Sequence, residues 1–199
     1  MVLRTKAVLR AAIAACVLAP TSGAAQSLAS ESATVSQTVG GTTITVSYYR
    51  PVARGRKVFG EVVKWGSVWT PGANWATTIE VNKDVLLNGC YLPRGEYSVW
   101  MQVRQDADWI VMLNKTARVF HVWPPSPEDE QLRLYVTPDH GTHVEVLTWS
   151  FPEMRRDGTS LHLRWGMFVV RLDVSIDPIQ PTIVTDGNAH GSCNPSPVR

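Results

Sequence analysis

Residues 33–49 read Ala-Thr-Val-Ser-Gln-Thr-Val-Gly-Gly-Thr-Thr-Ile-Thr-Val-Ser-Tyr-Tyr. In the second half Ile44, Val46 and Tyr48 alternate with Thr43, Thr45 and Ser47. A period of two with β-branched residues is the mark of a strand that buries one face. Gly40-Gly41 separates two such runs, Ala33 to Val39 and Thr42 to Tyr49, and both glycines tolerate the positive φ of a tight hairpin. A β-hairpin is therefore the first element.

The same grammar recurs downstream. Strands are expected at Ala76–Val81, Val85–Leu87 and Tyr91-Leu92, with Asn88-Gly89 and Pro93-Arg94-Gly95 as turns. Glu96–Val103 follows, with Tyr97, Val99, Met101 and Val103 on one face and Trp100 on the other. Trp109–Leu113 comes next. Leu132, Leu134 and Val136 alternate, Val144–Phe151 is a longer apolar strand, and Leu161–Trp165 and Phe168–Val174 flank a bend at Gly166. His121–Glu130 holds Pro124, Pro125 and Pro127 and reads as a loop.

Arg50–Gly72 breaks the pattern, with Pro51, Gly55, Gly60, Gly66, Pro71 and Gly72. It predicts one long ordered loop anchored by Phe59, Trp65 and Trp69, with a helical turn at Val58–Val63. About ten strands, closely spaced and without a long helix, predict an all-β fold. The expected form is an antiparallel β-sandwich, jelly-roll-like.

The ends differ in kind. Met1–Arg10 carries Arg4, Lys6 and Arg10 and no acid, Ala11–Ala19 is apolar, and Ser22-Gly23-Ala24-Ala25 is small. This predicts a signal peptide over residues 1–25 and export to the periplasm or beyond. Ile13-Ala14-Ala15-Cys16 is the competing signal, a lipoprotein box. Residues 26–32 read as a linker, 33–177 as the domain and 178–199 as a disordered tail.

The whole chain has 19 Lys+Arg and 17 Asp+Glu. The leader removes three bases and no acid, so 16 bases face 17 acids and the mature charge is −1. No basic patch points to nucleic acid. The mature chain has no segment fit to span a bilayer. Cys90 and Cys193 are then the remaining cysteines. They are a candidate disulfide that would tie the tail to the domain; two free thiols or pairing with another chain are the alternatives. The sequence carries no signal of oligomeric state.

Several strings in order resemble a bacterial secreted family, domain of unknown function 2911. They are Tyr48-Tyr49-Arg50-Pro51, Gly55-Arg56-Lys57-Val58-Phe59-Gly60 and Trp69-Thr70-Pro71-Gly72-Ala73-Asn74-Trp75-Ala76-Thr77. Asp84-Val85, Leu92–Ser98, and Trp109 with Asn114 continue the likeness, which covers about residues 33–176. The resemblance implies a β-rich exported domain and transfers no activity. The family typically reads Trp-Arg-Thr-Gly-Ala-Asn-Glu-Ala-Thr, so Thr70 and Trp75 replace a basic and an acidic residue. A function needing that pair is in doubt here. Lys is commoner where Cys90 stands, so a disulfide would be particular to this chain.

Candidate site residues cluster in 50–77. Arg50 and Arg56 suit a carboxylate or phosphate. Asn74 and Thr77 suit a polar ligand, and Trp69 or Trp75 the face of a sugar. The competing account is structural, with arginines satisfying loop carbonyls and Gly72-Ala73-Asn74 shaping a turn. Trp100, off the apolar face, is covered by a second sheet or a ligand, or stands in water. His140 and His143, with Asp139, Glu145 and His162 near, are the weaker metal candidate, expected in a surface turn beside Gly141. Glu61, Glu80, Glu96 and Glu145 are eligible catalytic carboxylates without a distinguishing pattern. No Gly-x-Ser-x-Gly elbow, phosphate loop or dinucleotide fingerprint occurs, and no cofactor is implied.

These signs favour a non-enzymatic binding module for a small polar or glycan-like envelope ligand. The rivals are an envelope hydrolase using carboxylates or a metal, and a structural or assembly protein.

Overall fold

Among the described residues there are eleven strands, most of them where the alternation places them; the short strand Val68–Trp69 lies inside the stretch expected to be a loop, and the two runs expected on either side of Gly166 form one strand. The eleven are β1 (Glu31–Val39), β2 (Thr42–Arg50), β3 (Val68–Trp69), β4 (Thr78–Val81), β5 (Val85–Leu87), β6 (Cys90–Leu92), β7 (Gly95–Gln102), β8 (Trp109–Asn114), β9 (Glu130–Val136), β10 (Asp139–Met154) and β11 (Gly158–Ser175). The structure is a computed structural model that describes residues 30–122 and 126–176. The expected leader, most of the expected linker, the whole of the expected tail, Cys16 and Cys193 lie outside the described residues. β1 begins at Glu31, two residues inside the expected linker.

One sheet has the order β1-β2-β4-β7-β8-β9, with β3 also on β7. The other has the order β10-β11-β5-β6. All pairings between strands are antiparallel. The registers explain the core. Ile44 faces Val81 and Val46 faces Ile79; Ile79 faces Tyr97, Val99 faces Leu113, and Met101 faces Val111. On this face Val111 meets Leu134 and Leu113 meets Leu132. The second sheet answers with Val85, Leu87, Leu92, Leu147, Trp149, Leu161 and Leu163, all buried in one continuous core. This is the two-layer solution expected of strands with one apolar face.

β11 has a feature that alternation alone does not show. The backbone N–H of Ile176 donates to Asp157 O at 2.8 Å, and Arg155 pairs with Asp173 at 2.5 Å. Eighteen residues at about 3.3 Å each span roughly 60 Å when straight, so the strand must double back for its ends to meet. The reversal falls midway, at Gly166, whose φ is +58°. Its two apolar runs, Leu161–Trp165 and Val170–Val174, thus both reach the core.

β10 is longer than the apolar run that announces it. It starts at Asp139 and carries His140 and His143 on a bulged strand rather than in a turn, because both strands of the β10-β11 pair stay in contact through register shifts. The expected strand at Ala76 starts two residues later, at Thr78. Val58–Val63 forms no helical turn. Val62 and Val63 N–H donate five residues back, to Lys57 O and Val58 O, in a wider turn. Past β2 the chain lies along β10: Leu147 N–H donates to Pro51 O, Ala53 N–H to Glu145 O, and Val52 bridges Val146. The outer edge of β10 is covered there, as an otherwise open sheet edge needs.

Among the described residues no helix is long and apolar enough to cross a membrane.

Candidate functional site

The outer face of the first sheet carries the site. Residues that alternate with the core strands point there, and on β1 and β2 they are hydroxyls. Thr34 and Ser47 lie 3.3 Å apart, Ser36 and Thr45 3.0 Å, Thr38 and Thr43 2.9 Å. Thr78 of β4 and Glu96 of β7 continue this face.

The Trp69–Thr77 string builds one wall. Thr70, 1% exposed, donates through Oγ1 to Val99 O at 3.0 Å and accepts from the Thr77 N–H at 2.9 Å. Thr77 Oγ1 donates to Pro71 O at 2.9 Å, and the same carbonyl accepts Trp149 Nε1 of the second sheet at 3.2 Å. Gly72 permits this fold of the loop. A Cβ there would lie 2.7 Å from Thr77 Oγ1. Asn74 takes a left-handed φ of 60° and donates to Ser30 O at 3.2 Å. His121 reaches the Asn74 carbonyl with its backbone N–H at 3.0 Å and with Nδ1 at 2.6 Å. A carbonyl only accepts, so Nδ1 carries the proton.

With the loop so held, Ala76 N–H donates to Val119 O and Trp75 bridges Phe120. Trp75 is 49% exposed, and its ring meets Phe120 edge-on at 5.6 Å and 86°. Below it opens a groove of about 610 Å³, lined among others by Ser32, Thr34, Tyr49, Trp75, Glu96 and Arg118. Glu96 and Arg118 stand 4.0 Å apart across its floor and rim. Arg118 is highly exposed, so this contact contributes little to stability and both groups remain available to a ligand.

The sequence candidates divide. Trp75 lies in the groove, and Asn74 and Thr77 shape the loop that presents it. Arg50 is directed elsewhere, to β10, with Leu147 O at 3.5 Å and Thr148 Oγ1 at 3.4 Å. Arg56 donates to Ala53 O at 2.8 Å and Val52 O at 3.2 Å, within its own loop. Trp69 is half-buried and stacks on the core ring of Trp165 at 5.8 Å. Trp100 is on the outer face, as alternation says, yet is 2% exposed and donates to Ser98 Oγ at 3.0 Å. Neighbours from the β8–β9 connection, Ser126 and Pro127, share its small cavity, so its ring offers no open stacking surface. The site residues that alternation does not single out are Arg118, in the groove, and Phe120, which packs on Trp75 at its rim. Both lie in the stretch that follows β8, and only exposed charge and exposed aromatic character hint at them.

His140 packs on Phe168 with ring centroids 4.6 Å apart, and His143 Nε2 lies 3.5 Å from Glu145. Among the described residues no three His, Cys, Asp or Glu side chains converge on one point. Glu145 has a tethering role instead. Its Oε1 accepts the Gly55 N–H at 2.7 Å, and this bond, more than the nearby His143, holds its carboxyl below the usual range. A depressed carboxylate pKa means the tether is present above the ordinary Glu range and is lost as pH falls through the lowered value. The Gly55 amide is therefore expected to exchange slowly at neutral pH and to lose protection in acid. In Glu145→Gln the acid step should vanish; a step that persists would assign it to another group.

Cys90 is buried and disulfide-bonded. Cys193, its candidate partner, lies outside the described residues.

Fold and groove together define a two-sheet antiparallel β-sandwich with a polar, aromatic-rimmed outer face. The family model described as "Protein of unknown function (DUF2911)" matches residues 30–174, and the chain belongs to that family. No curated protein and no solved structure matches it.

Proposed function

We propose that the protein is a non-enzymatic binding module for a small glycan-like ligand, seated in the groove beneath Trp75. The observation that carries this is the half-exposed Trp75 ring at the rim of a groove lined by hydroxyls, one carboxylate and one guanidinium. A sugar has an apolar C–H face and a polar edge. An indole offers a flat apolar surface to the first, and Glu96 and Arg118 offer charge-assisted hydrogen bonds to the second. The volume falls within the range of about 300–1,000 Å³ usual for small-ligand sites. The leader read in residues 1–25 supports export, so the ligand proposed is a component of the cell envelope.

Calorimetric titration of the purified protein with N-acetylglucosamine oligomers tests the reading. Trp75→Ala is expected to weaken binding about tenfold or more, with stability changed by no more than about 0.5 kcal/mol, as for other exposed sites. Glu96→Gln should weaken it as well. Equal affinity in wild type and Trp75→Ala, or no binding of any envelope oligosaccharide, would remove the groove from consideration.

A further inference from the structure

A second cavity shares no lining residue with the groove and lies between the long loop, β10 and β11. Its volume is about 350 Å³, the low end of the range for small ligands. Three rings form its apolar wall. Phe59 and Trp65 have centroids 6.4 Å apart, Phe59 and Phe168 5.1 Å, Trp65 and Phe168 6.1 Å. Arg56 and Lys57 stand at its rim.

Positive charge outweighs negative around this rim. Residues 54–64 carry Arg54, Arg56, Lys57 and Lys64 against Glu61 alone. Among the described residues, the ion pairs of the molecule use none of these four cations. Arg56 spends Nε and one Nη2 proton on Ala53 O and Val52 O. A guanidinium has five N–H donors, so its Nη1 pair is left over. Glu145 is an acid near the rim; the Gly55 amide bonded to its Oε1 keeps it ionised, so it offsets one of these cations and leaves the balance positive. His140 rests its ring on Phe168 and His143 faces Glu145, so both histidines add donors to the mouth and no negative charge. An apolar pocket with a basic mouth fits a ligand with an apolar body and an anionic head. A neutral polar molecule would leave the rings unused, and a polyanion would find no donors in the interior.

We propose that this cleft is a second ligand site, for a small amphipathic carboxylate. Its aromatic ring or short acyl chain lies against Phe59, Trp65 and Phe168, and its carboxylate meets Arg56 and Lys57. The site does not depend on the glycan groove, and either can fail without the other.

Titration of the purified protein with 3-phenylpropionate and with its neutral amide, 3-phenylpropanamide, tests the assignment, read by calorimetry and by indole proton shifts. The acid is expected to bind at least tenfold more tightly than the amide. Lys57→Glu, at an exposed position, should weaken the acid by tenfold or more and leave the amide unaffected. Arg56→Gln should act in the same direction, and Trp75→Ala should change neither ligand. The assignment is overturned if the acid does not bind at millimolar concentration or if acid and amide bind alike. It is equally overturned if Lys57→Glu leaves the acid unaffected or if Trp75→Ala abolishes binding.

Discussion

Trp109→Ala is expected to cost about 3–5 kcal/mol of stability, the range for removing a large aromatic from a closed core. The indole is fully buried and sits where the long loop meets both sheets. Its ring centroid lies 4.7 Å from Phe59 and 5.3 Å from Phe168, and its Nε1 donates to Arg104 O at 2.8 Å. Deleting it opens a cavity beneath three elements that are held apart by the rest of the sandwich, so collapse into the space is limited. It also strands the Arg104 carbonyl. For a domain of this size the midpoint of thermal unfolding should fall by roughly 10 °C or more. Trp109→Phe keeps most of the ring packing and loses the Nε1 bond, so a smaller loss of about 1–2 kcal/mol is expected. Denaturant melts of the three proteins check this. A loss below about 1 kcal/mol for the alanine variant would mean that Phe59 and Phe168 repack, and that the loop is not anchored by this ring.

Thr70→Val should cost about 2–4 kcal/mol, although the two side chains have nearly the same shape. The hydroxyl serves two buried groups at once, accepting from Thr77 N–H and donating to Val99 O. Removing it leaves both without that partner, and an unsatisfied buried group costs about 1–3 kcal/mol. Thr70→Ser keeps the hydroxyl and should stay within about 1 kcal/mol of wild type. The same change has a second readout. Thr70 and Thr77 fix the loop that carries Trp75, so the valine variant should also weaken glycan binding in the groove, at a temperature where it is still folded. A valine variant as stable as wild type would show that the loop is held by its other contacts, those of Pro71 O and Asn74.

The family likeness departs at Thr70 and at Trp75. In the family the first place is typically basic and the second acidic. Here Thr70 is buried and hydrogen-bonded at both ends, while Trp75 is at the surface on Phe120. The two positions therefore have different environments. The surface one can change ligand chemistry with little consequence for the loop, whereas the buried one cannot change without a replacement for its hydrogen bonds.

Alternation was sufficient for the strands and for most of the core. Tyr97, Val99, Met101 and Val103 are assigned to one face by period two, and all four are buried. The reason is local: successive side chains of a strand point to opposite faces whatever the strand is paired with. The hairpin at Gly40-Gly41 is legible for the same reason, since its positive φ values, 53° and 75°, belong to those two residues alone.

What alternation could not decide depends on partners distant in sequence. Alternation puts Trp100 on the outer face but leaves its cover open, and Ser126 and Pro127 are beside it there. Arg50 and Arg56 both look like ligand clamps, yet one is turned to β10, nearly a hundred residues on, and the other to carbonyls of its own turn. The groove joins Ser32, Tyr49, Trp75, Glu96 and Arg118, which no single period relates. The class of fold, the facing of its strands and the hairpin turn are legible in the order of residues, because each is a property of a few neighbours. The strand order, the doubling of β11 and the polar side chains that share a groove emerge with folding, because they follow from long-range pairing and from what packs above each face.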